Sequence, residues 1–278
     1  MKFKDVANII LGSILIISGS NICIKLIDYN KSSDLYADIQ NIANSDNQTS
    51  ETEEVNEYEK QLNTYNKLKE INDDYQFWIN VENTNIDYPV VQTNDNQFYL
   101  KKDFNKKKSN GGTVFMDTLN NFMTDKNIVL YGHNMRNKTM FNNITKFKDK
   151  SFFEQNNKIT IKNTSNGKEY IYEVFSVYHS DNNFNYNTVV FNENYTYNQY
   201  LEDIKKKSLY KKNIEVTEKD KILTLSTCSD EFKGAKTTLH AKLIEVKNLD
   251  PNLSSSSTPT TLENIEEDSF TVENMFEY

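Results

Sequence analysis

Three hydrophobic patterns follow one another along this chain. Residues 6–27 are mostly apolar, centred on Ile9-Ile10-Leu11-Gly12-Ser13-Ile14-Leu15-Ile16-Ile17, with Lys2 and Lys4 ahead of them. About twenty apolar residues span a bilayer, and no A-x-A-like cleavage site follows the run. The segment therefore predicts an uncleaved membrane anchor. A lipid anchor on Cys23 fits poorly, because bulky Ile22 stands where a small residue is expected. The positive-inside rule puts residues 1–5 in the cytoplasm and everything after residue 28 outside. Residues 28–49 are polar and rich in Asn, Ser and Asp, and predict a stalk.

Helical spacing comes next. Ser50-x-x-Glu53 has the capping-box pattern, and Val55, Tyr58, Leu62, Tyr65 and Leu68 recur by threes and fours. From Phe77 the period shortens to that of strands. Runs at 77–81, 86–91, 113–116, 127–131, 158–162, 168–178, 221–228 and 236–246 are apolar or alternating and bounded by turn residues. Pro89 suggests an edge or a bend. Gly111-Gly112 marks a turn, and Gly132 stops the strand at 131. Helices are predicted over 139–147 and 195–209. Many short strands with few helices predict a mainly β fold, a barrel or sandwich with helical insertions. The globular unit spans 50–248, and the Ser/Thr/Pro-rich, then acidic, residues 249–278 predict a disordered tail.

Composition narrows the function. The net charge is −8 and the apolar fraction ordinary, which argues against nucleic acid as a partner. There is no phosphate-binding glycine loop and no Cys/His cluster, so no cofactor or metal is expected. The two cysteines are Cys23, inside the apolar segment, and Cys228. Cys228 therefore lacks a disulfide partner in its own domain, and an unpaired thiol outside the cell is a candidate for reactivity. It ends the strand Lys221-Ile-Leu-Thr-Leu-Ser-Thr-Cys228, where a sheet would hold it rigidly beside a groove. A buried structural cysteine is the competing reading. A cysteine enzyme also needs a base or cation nearby. Of three histidines, His240 alternates within a strand and His179 ends one among polar residues. His133 ends a strand beside Gly132, a setting like that of Cys228.

Thr224-Leu225-Ser226-Thr227-Cys228 resembles the TLxTC motif of sortases, the transpeptidases that attach surface proteins to Gram-positive cell walls. Other segments resemble class B sortases in particular: Asn83 to Gln92 with Asp95-Asn96 and Tyr99-Leu100, then Tyr131-Gly132-His133-Asn134-Met135, then Phe175-Ser176-Val177-Tyr178. The similarity runs from about Tyr65 to Lys247. It implies a closed sortase β-barrel with an N-terminal helix and a helix-bearing insertion before the Cys228 strand. It also implies that Cys228 attacks the Thr–Gly carbonyl of a C-terminal sorting motif on secreted proteins. A peptidoglycan precursor amine would then resolve the thioacyl enzyme, with His133 as acid and base. Ser226, Thr227, Asn96, Leu100 and Tyr186 match substrate-groove positions. The implied partners are thus sorting-motif proteins, the precursor amine and, through the anchor, membrane lipid.

One position departs from the family. Sortases carry an essential arginine on the strand after the cysteine, and Lys236 occupies that place here. The only arginine, Arg136, lies three residues beyond His133. A guanidinium offers two fixed donors to an oxyanion, whereas lysine is a mobile point charge. Three readings follow: Lys236 replaces the arginine in a working enzyme, Arg136 swings in, or the fold binds sorting motifs without turnover. An ordinary secreted cysteine protease is a further alternative, without another motif to favour it.

Overall fold

The computed structural model describes residues 3–44, 57–155, 158–180, 184–228 and 235–250. The capping box at Ser50 and Glu53 and the acidic tail beyond residue 250 lie outside the described residues. Eight strands close a barrel in the order β1-β2-β3-β4-β7-β8-β6-β5. They are β1 (Tyr75–Val81), β2 (Asp87–Val91), β3 (Val114–Met116), β4 (Asn127–Tyr131), β5 (Lys158–Asn163), β6 (Lys168–Ser180), β7 (Ile222–Cys228) and β8 (Lys236–Asn248). The strand pattern of the sequence is thus realised nearly residue for residue. Pro89 behaves as an edge residue inside a closed barrel. It faces Trp78 of β1, but β2 pairs with β3 only from Val90 onward.

Strand alternation sorts side chains onto two surfaces. Leu223 and Leu225 of β7, with Leu239 and Ala241 of β8, join Ile79, Val90, Ile128 and Phe141 in the barrel core. The opposite face of the same strands meets α4 (Tyr197–Lys207), which fills the long connection between β6 and β7. Thr196 caps α4 through a capping box with Gln199. Its Tyr197, Tyr200, Leu201 and Ile204 pack on Phe175, Tyr178 and Ile222 in a second, aromatic core.

The N-terminus differs from the expectation of a stalk. A single helix, α1, runs from Phe3 to Asn44. Its apolar first half is exposed, with Ile10, Leu15 and Ile17 more than half accessible. Its second half lies on the barrel: Ser32, Tyr36 and Ile39 are buried, one helical stripe spaced by four and three. The Tyr36 hydroxyl donates to the Gly112 carbonyl at 2.7 Å, and the Gln40 amide donates to the Asp87 carbonyl at 2.7 Å. The polar residues between these contacts are the solvated face of a packed helix. The second helix, α2 (Glu57–Ile71), buries Leu68 beside it. The helix expected over 139–147 is instead a 3-10 segment, Phe141–Lys148. Met140 enters it with φ 56°, and Asp149 then caps the short α3 (Lys150–Glu154), accepting from the Phe152 N–H.

Candidate active site

The site forms at one rim of the barrel, where β4 and β7 end side by side. These strands run parallel, with Tyr131 paired to Ser226. The Gly132 N–H extends the ladder by donating to the Ser226 carbonyl at 3.2 Å. Two residues beyond that pair come His133, just past the end of β4, and Cys228, the last residue of β7. Antiparallel β8 sets Lys236 directly across from Cys228. His133 is thereby brought to the same rim as two residues about a hundred positions further along the chain. Arg136 lies on an exposed turn past His133.

His133 is held from the far side. Its Nε2 lies 2.7 Å from the Leu100 carbonyl oxygen. A carbonyl can only accept, so Nε2 carries a proton toward it and Nδ1 is the ring's other nitrogen. The contact depends on glycine. Gly112 has φ +59°, and a Cβ there would lie 2.4 Å from the Tyr99 carbonyl oxygen and 3.2 Å from His133 Cδ2. Any larger residue would drive the Leu100 segment away from the imidazole. Gly132 is required for space rather than angle, since a Cβ would strike the Phe141 ring at 2.6 Å.

Four of the five expected groove residues surround this rim. The Ser226 hydroxyl donates to the Tyr186 hydroxyl at 3.0 Å. Asn96 donates from Nδ2 to Asp117 at 3.0 Å and accepts from the Thr118 N–H at 2.9 Å. Tyr131, unmarked by the sequence reading, joins the two loops. Its hydroxyl donates to Asp117 at 2.6 Å and accepts from Asn187 at 2.9 Å. Burial and the Asp117 carboxylate together hold the Tyr131 phenol well above its usual range, so it stays a donor. Leu100 contributes the carbonyl on His133. Thr227 is the exception. It shares the inward parity of Leu223 and Leu225, is 2% exposed, and its hydroxyl is buried with no hydrogen-bond partner. Its parity puts it on the face of β7 that carries the barrel core.

A second polar chain lies behind the groove, and the sequence reading missed it because its members are far apart. Thr224 donates to Asn127 Oδ1 at 2.7 Å, so its oxygen accepts from His240 Nδ1 at 2.8 Å. His240 Nε2 then accepts from the Tyr178 hydroxyl at 2.9 Å. Every proton in the chain has one consistent place. His240 is fully buried, and burial pushes its pKa down to about 3. It is a neutral structural histidine. Asn127 also donates to the Thr188 carbonyl at 2.9 Å, and the Tyr200 hydroxyl donates to the Tyr186 carbonyl. Two buried groups thus fix the loop that carries Tyr186. Among the described residues there is no cluster suited to a metal ion.

Residues 79–244 match the Sortase domain. The chain belongs to the sortase family of cysteine transpeptidases. It is 35% identical over 180 residues to sortase B of Listeria monocytogenes, covering 64% of this chain and 72% of that protein. Among solved structures, a mutant form of Clostridium perfringens sortase B superposes with a TM-score of 0.69 at 39% identity, over 77% of this chain and 98% of that one. The Staphylococcus aureus sortase B–substrate complex gives a TM-score of 0.67 at 30% identity, over 79% and 99% of the two chains. The eight-stranded barrel of this protein is the sortase fold, and its activity is that of a sortase B-like transpeptidase.

Proposed function

We propose that this sortase cleaves a sorting motif of secreted proteins between Thr and Gly and joins the acyl group to an amine of the peptidoglycan precursor. The Cys228 thiolate attacks the Thr carbonyl carbon, and the oxyanion forms beside the Lys236 ammonium. His133, protonated on Nδ1, gives that proton to the departing Gly amine as the C–N bond breaks. A thioester on Cys228 remains. The acceptor amine then loses a proton to His133 Nδ1, attacks the thioester and expels the thiolate. The Leu100 carbonyl keeps the other ring nitrogen protonated throughout, so Nδ1 is the working atom. The exposed apolar half of α1 anchors the enzyme in the membrane, with the barrel outside the cell.

The reading is supported by the parallel register of β4 and β7, which ends with Tyr131 against Ser226, and by the pairing of Cys228 with Lys236 on β8. The test is acylation of the full chain by a Thr–Gly sorting peptide, with an added amine acceptor. Lys236→Ala should slow acylation by about 10²-fold, the usual effect of an oxyanion donor. Lys236→Arg should preserve or raise the rate, because the fork geometry returns, and Arg136→Ala should change little. A dead Arg136→Ala beside a normal Lys236→Ala would move the cation to the His133 turn. The lysine at the arginine position also supports a second reading, a sortase fold that binds motifs without turnover. An inert wild type made active by Lys236→Arg would establish that one.

A further inference from the structure

The loop after Leu100 is basic although the chain as a whole is not. Residues 101–110 hold Lys101, Lys102, Lys106, Lys107 and Lys108 against a single acid, Asp103, in a protein of net charge −8. Lys106 is already paired with Asp73 and Asp74. Lys101, Lys107 and Lys108 are exposed.

The loop is tied to α1 at one place. Asn110 donates to the Asp28 carboxylate from its backbone N–H at 3.2 Å and from its side chain at 2.8 Å. Asp28 is the first residue after the apolar run. Headgroups add roughly 5–7 Å on each side of the hydrocarbon core. At a rise of 1.5 Å per residue, about four to five residues past Ile27 therefore lie at headgroup level. That interval contains Asp28, Lys31 and Ser32. A cleft of about 380 Å³ opens between this part of α1 and the loop, lined by Lys31, Lys107 and Lys108 as well as by Asp28 and Asp103.

We propose that this cleft and the exposed lysines around it dock on anionic phospholipid headgroups of the outer leaflet. The inference rests on the membrane anchoring proposed above. Three features favour a lipid surface: the lysines outnumber the acids at the cleft, the patch is local in an acidic protein, and the Asp28–Asn110 bonds hold it at headgroup depth. Docking there has a consequence for the site. The same loop begins at Leu100, whose carbonyl holds His133, so headgroup contact would orient the catalytic rim relative to the bilayer.

The test uses the full chain reconstituted in zwitterionic phosphatidylcholine vesicles and in vesicles with about one-third phosphatidylglycerol. Brief acylation of lysines, read by mass spectrometry, reports on Lys31, Lys101, Lys107 and Lys108, with Lys205–Lys207 at the end of α4 as internal reference. A lysine at an anionic surface gains roughly fivefold in occupancy, so labelling of these four should slow severalfold in the anionic vesicles only. The protection should vanish in 0.5 M salt, and in Lys107→Glu/Lys108→Glu it should be lost at Lys31 and Lys101. Equal labelling in both vesicles, with the chain still resisting carbonate extraction, would overturn the docking alone. Release of the chain by carbonate would overturn the anchor and the docking together. Protection produced in zwitterionic vesicles by a soluble glycerol-phosphate polymer would assign the patch to a wall polymer and overturn the lipid proposal.

Discussion

Strands β7 and β8 carry two unlike surfaces back to back. One face, with Leu223, Leu225, Leu239 and Ala241, is part of the apolar barrel core. The other, with Thr224, Ser226 and His240, is polar, and it meets Tyr178, Tyr186 and, on α4, Tyr200. The inner face gains its stability from area removed from water and is indifferent to direction. The outer face gains position, because each hydrogen bond fixes an angle and each buried polar atom is costly when left alone. The barrel therefore supplies the rigidity, and the outer network places the Tyr186 loop against Ser226 near the end of β7.

Substitutions should separate the two surfaces. Leu225→Ala, on the inner face, should cost about 2–5 kcal/mol in denaturant unfolding, while the surviving folded enzyme keeps its KM. His240 should show itself through pH. Its folded pKa of about 3 lies below the unfolded value near 6.5, so between these values the unfolded chain binds the extra proton. The stability contributed is full above pH 6.5 and falls by up to about 1.4 kcal/mol per pH unit as the solution is acidified toward pH 3. His240→Leu should remove that slope from the pH dependence of unfolding. It should also cost about 1–3 kcal/mol at neutral pH, because the buried Tyr178 hydroxyl loses its acceptor.

Smaller effects test position rather than stability. Tyr200→Phe deletes the donor to the Tyr186 carbonyl, a loss of about 1 kcal/mol. Steady-state kinetics should show KM for the sorting peptide rising about fivefold with kcat less affected. Thr227→Val should be nearly silent. It replaces a buried hydroxyl without a partner by a methyl, so the melting temperature should hold or rise and KM should stay unchanged. A large KM effect at Thr227 would return that residue to the groove and break the division between faces.

How much was legible in the sequence follows the range of the interactions. The strands ending at Tyr131 and Cys228 were readable because apolar, β-branched runs stop at turn residues. His133 and Cys228 stood out because each ends such a run. The parallel pairing that makes them neighbours joins residues nearly a hundred positions apart and has no local pattern. The packed half of α1 was hidden for another reason. Ser32, Tyr36 and Ile39 are three positions in a polar background, and average composition outweighed their helical spacing. The Asn127–Thr224–His240 chain was hidden too, since a polar residue in a strand gives no hint of the partner that will meet it. At Thr227 the motif marks a position without saying which face the side chain takes, whereas alternation along β7 gives its face.

The account depends most on His133 serving Cys228 by exchanging a proton through Nδ1. Single-turnover acylation of Cys228 by a Thr–Gly sorting peptide, followed by mass spectrometry of the intact protein, tests this directly. Removing a positioned acid–base group costs about 10²–10⁴ in rate. His133→Ala should therefore acylate at least about a hundredfold more slowly than wild type while unfolding at the same denaturant concentration. A normal acylation rate in that variant would contradict the assignment of the rim as the catalytic site.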